Sequence, residues 1–498
     1  MAKIAIIGSG FSGLSSAAYL SMAGHEVHVY EKNETPGGRA RRLKTHNGYM
    51  FDMGPSWYWM PDIFEQFFND FGYTVSDFYE LKLLNPSFDV VFENHQTISI
   101  PVNFSELCIL FESIEKGSAE QLKKFMEEAK YKYETGMKNL ARMPGISITE
   151  FADTDLLKGA MRLQIFSSFS THIRRYFSHP HLIALMEFPV LFLGAMPQDT
   201  PALYSLMNYA GLKLGTWYPM GGFGKVIEAI IKVAKTKGAA FHFNSPVEKI
   251  IVEHNKATAI SINGEQIDFD AIIASADYHH VEEKLLPASY RNYTEKYWEK
   301  KIFAPSCLIY YIGLNKKIES LAHHTLFFEE DLLQHSREIY KTPKWPDKPL
   351  FYVCCPSKTD NTVAPGNHEN LFLLMPVAPG LDDNNLLREK YFEIMMRRLQ
   401  NHVCEEIISH IDFKKSYSIN DFVTDYNSYK GNAYGLANTL RQTAVLKPKI
   451  RNKIINNLFY AGQLTVPGPG VPPSLISGKI AAEQLFKYLK NKKNEILI

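Results

Sequence analysis

The sequence predicts an α/β fold built around a parallel sheet, and three stretches of the chain carry that prediction. In the first, "KIAIIGSGFSGLSSAAYLSMAGHEVHVYEK", a buried strand, Ile4 to Ile7, leads through a glycine turn into a small-residue helix, Ser12 to Ala23, and a second strand, Val27 to Tyr30. The second, "YPMGGFGKVIEAIIKVAKTKGAAFHF", reads as turn, helix and strand. The third, "NLFYAGQLTVPGPGVPPSLISG", runs from a strand, Leu458 to Ala461, through a loop into a helix. Strands that alternate with helices are typical of a parallel sheet.

The first stretch contains a dinucleotide fingerprint. Gly8 suits a tight turn, Gly10 the close approach of a pyrophosphate, and Gly13 the packing of helix on strand. The motif follows a strand, opens a helix and is trailed by Glu31, whose carboxylate can accept hydrogen bonds from a ribose diol. It therefore predicts a Rossmann-type domain rather than glycines that serve packing alone, and the acid disfavours NADP. We expect four neighbours to line the same site: Ser9, Phe11, Ser12 and Lys32.

The next segment, "NETPGGRARRLKTHNGYMFDMGPSWYW", favours a flavin over a nicotinamide. A G-G-R sequence a few residues after the ribose-binding acid resembles Rossmann flavoproteins of the amine-oxidase and carotenoid-desaturase superfamily. Its glycines let the backbone pass close to the cofactor, and its arginine adds positive charge near the diphosphate. FAD is the expected cofactor, and a basic surface turn is the alternative. The expected contacts are Gly37, Gly38 and Arg39, with Gly54, Pro55 and Ser56 alongside the flavin.

Composition limits the remaining possibilities. The chain has 498 residues, of which 45% are hydrophobic, and this length predicts two or three domains. Its 54 basic and 53 acidic residues leave a net charge of +1, which is no footprint for nucleic acid. Five cysteines without metal-ligand spacing indicate neither a disulfide framework nor a metal site. The sequence shows no signal peptide and no apolar run near the ~20 residues of a spanning helix, so we expect a cytoplasmic protein.

The strand and helix pattern predicts a discontinuous FAD-binding domain. It comprises residues 1–84, 205–290 and 415–498, while residues 85–204 and 291–414 form a mixed α+β substrate domain with a helical, membrane-facing part. The middle piece resembles the second part of a two-piece flavin domain, in which a valine, here Val247, meets the adenine.

Taken together, the motifs resemble those of the bacterial phytoene desaturases, which use FAD, and the match runs end to end. The resemblance rests on the N-terminal fingerprint, "PGGRA", "FDMGPSWYWMPD" and "NLFYAGQLTVPGPGVP". In the last motif this chain departs from the family pattern at Gln463, Leu464, Val466 and Pro469, beside the flavin. The resemblance places Gly462, Gln463, Gly470 and Val471 at the cofactor.

The resemblance implies that FAD removes hydrogen pairs from phytoene, a C40 polyene, to give lycopene or a related product. At ~0.8 kcal/mol per apolar carbon, carrying forty carbons through water would cost about 30 kcal/mol. We therefore expect peripheral docking on a membrane and a lipid-like tunnel, with "WYWMPDIFEQFF" and "MEFPVLFLGAM" as candidate linings. A membrane quinone or oxygen would then take the electrons.

We expect the proline and glycine loop to be a stiff, bare wall where flavin and hydrocarbon meet. Gly470→Leu should then keep FAD and fold but lose most desaturation.

The sequence names no catalytic residue. We interpret His279–His280 and His323–His324 as surface or satisfied core histidines. Lys158, Arg162, Arg174 and Arg175 lie in an acid-free segment, Leu156 to Met186, which fits either a membrane-surface helix or a domain-packing helix.

Three other functions share these motifs. A hydroxycarotenoid 3,4-desaturase and an amine oxidase would use the same cofactor site. A non-catalytic escort of prenylated proteins would share the fold without flavin chemistry.

Overall fold

The computed structural model describes residues 1–147, 163–164, 167–192, 194–439 and 441–496. The strands in chain order are β1 (Lys3–Ile7), β2 (Glu26–Tyr30), β3 (Arg42–Lys44), β4 (Met50–Asp52), β5 (Leu81–Leu83), β6 (Phe88–Val91), β7 (Thr97–Ile100), β8 (Trp217–Pro219), β9 (Ala240–His242), β10 (Lys249–Glu253), β11 (Lys256–Ile262), β12 (Glu265–Asp268), β13 (Ala271–Ala274), β14 (Ser306–Leu314), β15 (His324–Phe327), β16 (Phe351–Cys354), β17 (Glu369–Val377), β18 (Ile411–Tyr417) and β19 (Leu458–Tyr460).

The helices are α1 (Phe11–Met22), α2 (Pro61–Asn69), α3 (Phe104–Ile114), α4 (Ser118–Lys138), α5 (Phe169–Ile173), α6 (Pro180–Phe192), α7 (Leu206–Leu212), α8 (Phe223–Thr236), α9 (Tyr278–His280), α10 (Glu295–Glu299), α11 (Leu332–Tyr340), α12 (Asn385–Val403), α13 (Ile419–Tyr426) and α14 (Val471–Ile496).

A five-stranded parallel sheet organises one part of the molecule, in the order β19-β13-β1-β2-β9. All the residues of β13 and β19, and all but Lys3 in β1, are buried, as expected for a sheet covered on both faces. Because the strands are parallel, their carboxyl ends lie at one edge of the sheet. Gly8, Glu31, Ser275 and Ala461 directly follow four of these strands and so meet at that edge.

A seven-stranded mixed sheet organises the other part, in the order β18-β14-β17-β16-β15-β6-β7. Its pairings are antiparallel except that of β15 with β6. A three-stranded antiparallel sheet, β10-β11-β12, forms the meander before β13. Strand β18 crosses the boundary predicted between residues 414 and 415.

Helix α1 is held against α14 by very close contact. Ser15 and Ser16 donate their hydroxyls at 2.8 Å to the carbonyls of Leu475 and Gly478. A Cβ on Gly478 would lie 2.2 Å from the carbonyl oxygen of Ser12, so only glycine fits there. The small residues that the sequence places in α1 thus bring the start of α14 beside the fingerprint.

The acid-free segment from Leu156 to Met186 is not one helix in its described part. Helix α5 ends at Ile173, and α6 begins seven residues later at Pro180. Phe169, Ile173 and Phe177 are buried in the core, which accords with a packing role. Lys158 and Arg162 lie outside the described residues.

Candidate functional site

The glycine fingerprint forms a tight turn with an open gap at its centre. Gly8 has a φ of +98°, and a Cβ there would lie 3.3 Å from the backbone of Ser275 and Ala276. A Cβ on Gly13 would lie 2.1 Å from the carbonyl oxygen of Gly8, whereas one on Gly10 would meet nothing within 4 Å. Gly8 and Gly13 are therefore required by packing, and Gly10 leaves the space that a bound group needs.

Glu31 is buried at the tip of β2 and accepts four hydrogen bonds. The backbone N–H and hydroxyl of Ser9 donate to Oε2 at 2.9 and 2.7 Å. The backbone N–H and side-chain amide of Asn33 donate to Oε1, both at 2.9 Å. The carboxylate thus joins the fingerprint turn to the end of β2.

The G-G-R segment lies against the fingerprint. A Cβ on Gly38 would be 3.2 Å from the Cα of Gly10, so two bare stretches of backbone face each other. Arg39 is half-buried, and its guanidinium donates to the hydroxyl of Ser428 and the carbonyl of Asn432 at 3.1 and 3.2 Å. Its Nε has no partner among the described residues. Burial lowers the pKa of Arg39, and the charge of the nearby Asp277 carboxylate partly offsets that decrease.

The Gly54–Ser56 segment runs alongside Arg39 and continues into an aromatic stack. A Cβ on Gly54 would lie 2.5 Å from the carbonyl oxygen of Arg39. The Tyr352 hydroxyl donates to Ser56 Oγ at 3.0 Å and lies 2.6 Å from His324 Nδ1. Trp57 stacks on the His324 ring, with centroids 4.2 Å apart. Pro55 lies between Gly54 and Ser56 in the same segment.

His323 and His324 are core histidines that are only half satisfied. Each makes a hydrogen bond through Nδ1, to Thr359 and Tyr352 respectively, and each leaves Nε2 without a partner in the described part of the chain. Burial lowers the pKa of His323 to about 3 and that of His324 well below its usual value, so both rings are neutral. With Cys354 they place three ligand-type atoms within 4.8 Å of one another. Burial raises the pKa of that thiol to about 12.

Of the other histidine pair, His280 is buried enough that its pKa falls to about 4, while His279 contacts Glu295 at 2.7 Å.

An apolar wall continues from Trp57 into the second sheet. The rings of Trp57, Phe88 and Phe188 contact one another at centroid distances of 5.3 to 6.0 Å. Phe328 packs on Phe188 at 6.2 Å. Phe328 and Tyr352 also line a small cavity of about 40 Å³ between α11 and the β15–β17 strands. Tyr352 therefore borders both the cavity and the Gly54–Ser56 segment.

The proline and glycine loop follows β19 and lies next to α1. A Cβ on Gly462 would be 3.3 Å from Ser12 Oγ, and Gln463 donates its amide to Asn432 Oδ1 at 3.2 Å. Gly470 has a φ of +113°, and a Cβ there would lie 3.1 Å from the Pro473 ring. Leucine at Gly470 would strain the backbone, so Gly470→Leu should disturb the fold of the loop as well as the activity, contrary to the expectation from the sequence.

The other expected contacts are placed as follows. Phe11 is a buried first residue of α1, and Val471 begins α14. Val247 is half-buried in the loop between β9 and β10, next to the Ser245 N–H that bonds the Glu31 carbonyl at 2.8 Å. Lys32 donates to the Thr424 carbonyl at 2.6 Å.

Sequence reasoning missed a polar corner behind the loop, formed by Asn438, Thr439 and Lys447. All three side chains are buried, and each leaves a polar atom without a partner among the described residues. "LKPKIRNK" reads as an ordinary basic surface run, so nothing in the local sequence indicates that its first lysine is buried.

Comparison with known proteins decides the family. The model of the family "Flavin containing amine oxidoreductase" matches residues 11–486. A carotenoid 3,4-desaturase of Haloarcula japonica is 38% identical over 485 residues, covering 97% of this chain and 98% of the relative. The chain belongs to the carotenoid desaturases of this flavoprotein family. Its members include a 4,4'-diapophytoene desaturase of Staphylococcus aureus, 31% identical over 501 residues, with 98% of this chain and 99% of the relative covered. A zeta-carotene-forming phytoene desaturase of Myxococcus xanthus is 28% identical over 500 residues, with 98% and 94% covered.

The fold of this desaturase is that of a Rossmann-type FAD-binding domain joined to a substrate domain. Among solved structures, an oxidoreductase from Methanosarcina mazei superposes with a TM-score of 0.62 at 18% identity, covering 97% of this chain and 100% of that one. FAD is the cofactor. The residues present fit such a group, because Gly10 leaves open space and the buried Arg39 Nε lacks a partner in the described part of the chain.

Among the described residues, no helix is both long enough and apolar enough to cross a bilayer. Arg174 contacts Glu187, whereas Arg175 is exposed.

Proposed function

We propose that this desaturase introduces double bonds into an acyclic carotenoid, with phytoene as the first candidate substrate and lycopene or a related polyene as product. The observation that carries the proposal is the apolar wall that continues directly from the Gly54–Ser56 segment. Trp57, Phe88 and Phe188 form an apolar layer suited to a hydrocarbon, in which Phe88 and Phe188 are buried and Trp57 is half-buried. When bound, FAD supplies the redox chemistry by accepting the hydrogen pair.

The chain's own residues hold the two reactants in place. Glu31 and the glycine turn grip the nucleotide end, and Arg39 neutralises negative charge near the diphosphate. We also propose that FAD is held by the contacts expected from the sequence. These are Gly8 to Gly13, Glu31, Gly37–Arg39, Gly54–Ser56 and the Gly462–Val471 loop. We further propose that the chain divides into two domains, one built on the five-stranded sheet and the other on the seven-stranded sheet. A reacting carbon must sit about 3–3.5 Å from its acceptor, which favours a rigid wall over a mobile one.

The neutral rings of His323 and His324 suit the same site. A charged imidazole beside the wall would be costly to bury and would repel a hydrocarbon. The Tyr352 hydroxyl, which also donates to Ser56, holds the His324 ring, and the ring in turn stacks on Trp57.

A second candidate is 3,4-desaturation of a later carotenoid, and the 38% identity to the Haloarcula relative favours it. The purified FAD-loaded protein should be given vesicles that contain phytoene or, separately, lycopene. Visible absorbance from colourless phytoene supports the first candidate. A shift to longer wavelength from lycopene alone supports the second, and no product from either refutes both.

Membrane docking belongs to the same proposal, because transfer of such a substrate through water is prohibitive. The electron acceptor is a membrane quinone or oxygen, and comparing anaerobic turnover with and without added quinone separates the two.

A further inference from the structure

Three buried polar atoms lie without partners behind the proline and glycine loop. They are Lys447 Nζ, Asn438 Oδ1 and Thr439 Oγ1, and none has a hydrogen bond among the described residues. The three side chains are 2%, 3% and 8% exposed. Buried polar groups are normally paired, and an unpaired amine is among the most expensive to bury. Such atoms in neighbouring residues indicate a ligand that supplies their partners.

Gly468 of the loop borders this polar corner. A Cβ on Gly468 would lie 3.1 Å from Lys447 Nζ and 3.3 Å from Asn438 Oδ1, so a donor and an acceptor both reach the same bare point. A side chain at this position would crowd both atoms, and the glycine lets the bare backbone of the loop pass directly against them.

The corner is at the cofactor's end of the molecule. The loop that contains Gly468 leaves β19 at the sheet edge where the fingerprint lies. Ser15 and Ser16 tie the start of α14, which follows the loop, to α1. A role for this corner rests on the placement of the flavin beside the loop, as proposed above, and does not depend on which carotenoid is the substrate.

We propose that Lys447 and Asn438 bind the polar edge of the flavin ring and that Lys447 takes up a proton when the ring is reduced. That edge carries carbonyl oxygens and a ring N–H, which match an amine donor and an amide acceptor. Thr439 supplies a hydroxyl at the rim of the same corner.

Charge balance gives the reason for the proton. A ring that accepts a hydride gains two electrons and one proton, and so gains one negative charge. The hydrocarbon loses that hydride together with one proton, which passes to solvent. The Lys447 amine takes one proton from solvent, and the resulting ammonium neutralises the charge on the ring.

The surroundings of Lys447 favour the neutral amine above pH 7. Burial lowers its pKa to about 7, and Lys301 is the charged neighbour that lowers it further. The Lys301 ammonium lies over the Tyr297 ring at 4.5 Å. No carboxylate among the described residues is paired with Lys447 in an ion pair.

The test is the midpoint potential of the bound flavin against pH. Wild-type protein and Lys447→Met, each loaded with FAD, are titrated anaerobically with dithionite against a reference dye between pH 7.5 and 9. Uptake of two protons changes the reduction equilibrium 100-fold per pH unit, or about 59 mV, and uptake of one changes it tenfold, or about 30 mV. We expect the steeper slope in the wild type and the shallower one in Lys447→Met. The exposed-lysine control Lys453→Met should match the wild type.

Equal slopes in wild type and Lys447→Met would overturn the proposal while leaving the flavin placement intact. Failure of the wild type to bind FAD would overturn the placement and this proposal together. If Lys447→Met does not load FAD, the flavin-free proteins decide instead. The wild type, but not Lys447→Met, should gain stability as pH rises from 7 to 10, because the unfolded chain then holds the extra proton. A flat difference would overturn the proposal.

Discussion

Glu31→Gln separates the structural role of this carboxylate from its role in binding FAD. Both carboxylate oxygens accept from N–H donors of Ser9 or Asn33. A glutamine has one oxygen, so its NH₂ group must face one donor pair and leave it unpaired. Loss of a hydrogen bond to a buried charge is worth about 1.5–3 kcal/mol. The flavin-free variant should lose stability of that order.

The same substitution should weaken FAD binding if Glu31 also holds the ribose. Loss of a further charged hydrogen bond of about 1.5–3 kcal/mol would raise Kd by roughly 10- to 150-fold. Fluorescence titration of the flavin-free protein with FAD measures Kd, and urea unfolding measures stability. Glu26→Gln, an exposed change on the same strand, is the matched control. Reduced stability with an unchanged Kd would refute the ribose role and leave Glu31 as a structural anchor.

Four further predictions concern packing, charge, the wall and the membrane. Gly478→Ala should destabilise the protein by about 1–3 kcal/mol in urea unfolding, because its Cβ meets the Ser12 carbonyl; the exposed Lys487→Ala should not. Stability should fall between pH 6.5 and 4, because the unfolded chain binds protons at histidines that the fold keeps neutral, and a flat pH profile would contradict this. These histidines include His172, His280, His323, His324 and His335. Trp57→Ala should keep the bound flavin absorbance but lose most polyene product, whereas Trp57→Phe should retain it; equal yields would exclude Trp57 from the wall. The protein should float with anionic liposomes, and Arg175→Glu should reduce flotation at low salt; no flotation under turnover conditions would refute docking.

Features set by neighbouring residues could be predicted from the sequence. The fingerprint turn needs only the spacing of Gly8, Gly10 and Gly13 between a strand and a helix. Features assembled across the chain could not. His324 and Cys354 become neighbours only because β15 and β16 pair in that register. Lys447 meets Gly468 through a loop whose path no local pattern encodes. The strain that leucine would meet at Gly470 likewise depends on its φ and on the position of Pro473.

The contact between α1 and α14 joins residues 15 and 475, which are 460 positions apart. During synthesis the fingerprint leaves the ribosome well before its packing partner, which emerges 460 residues later. Until then α1 lacks the helix that covers it, and β13 lacks its neighbour β19. The packing around the nucleotide site is therefore completed only after β19 and the start of α14 have been made, so we expect FAD to load only into chains that extend through α14.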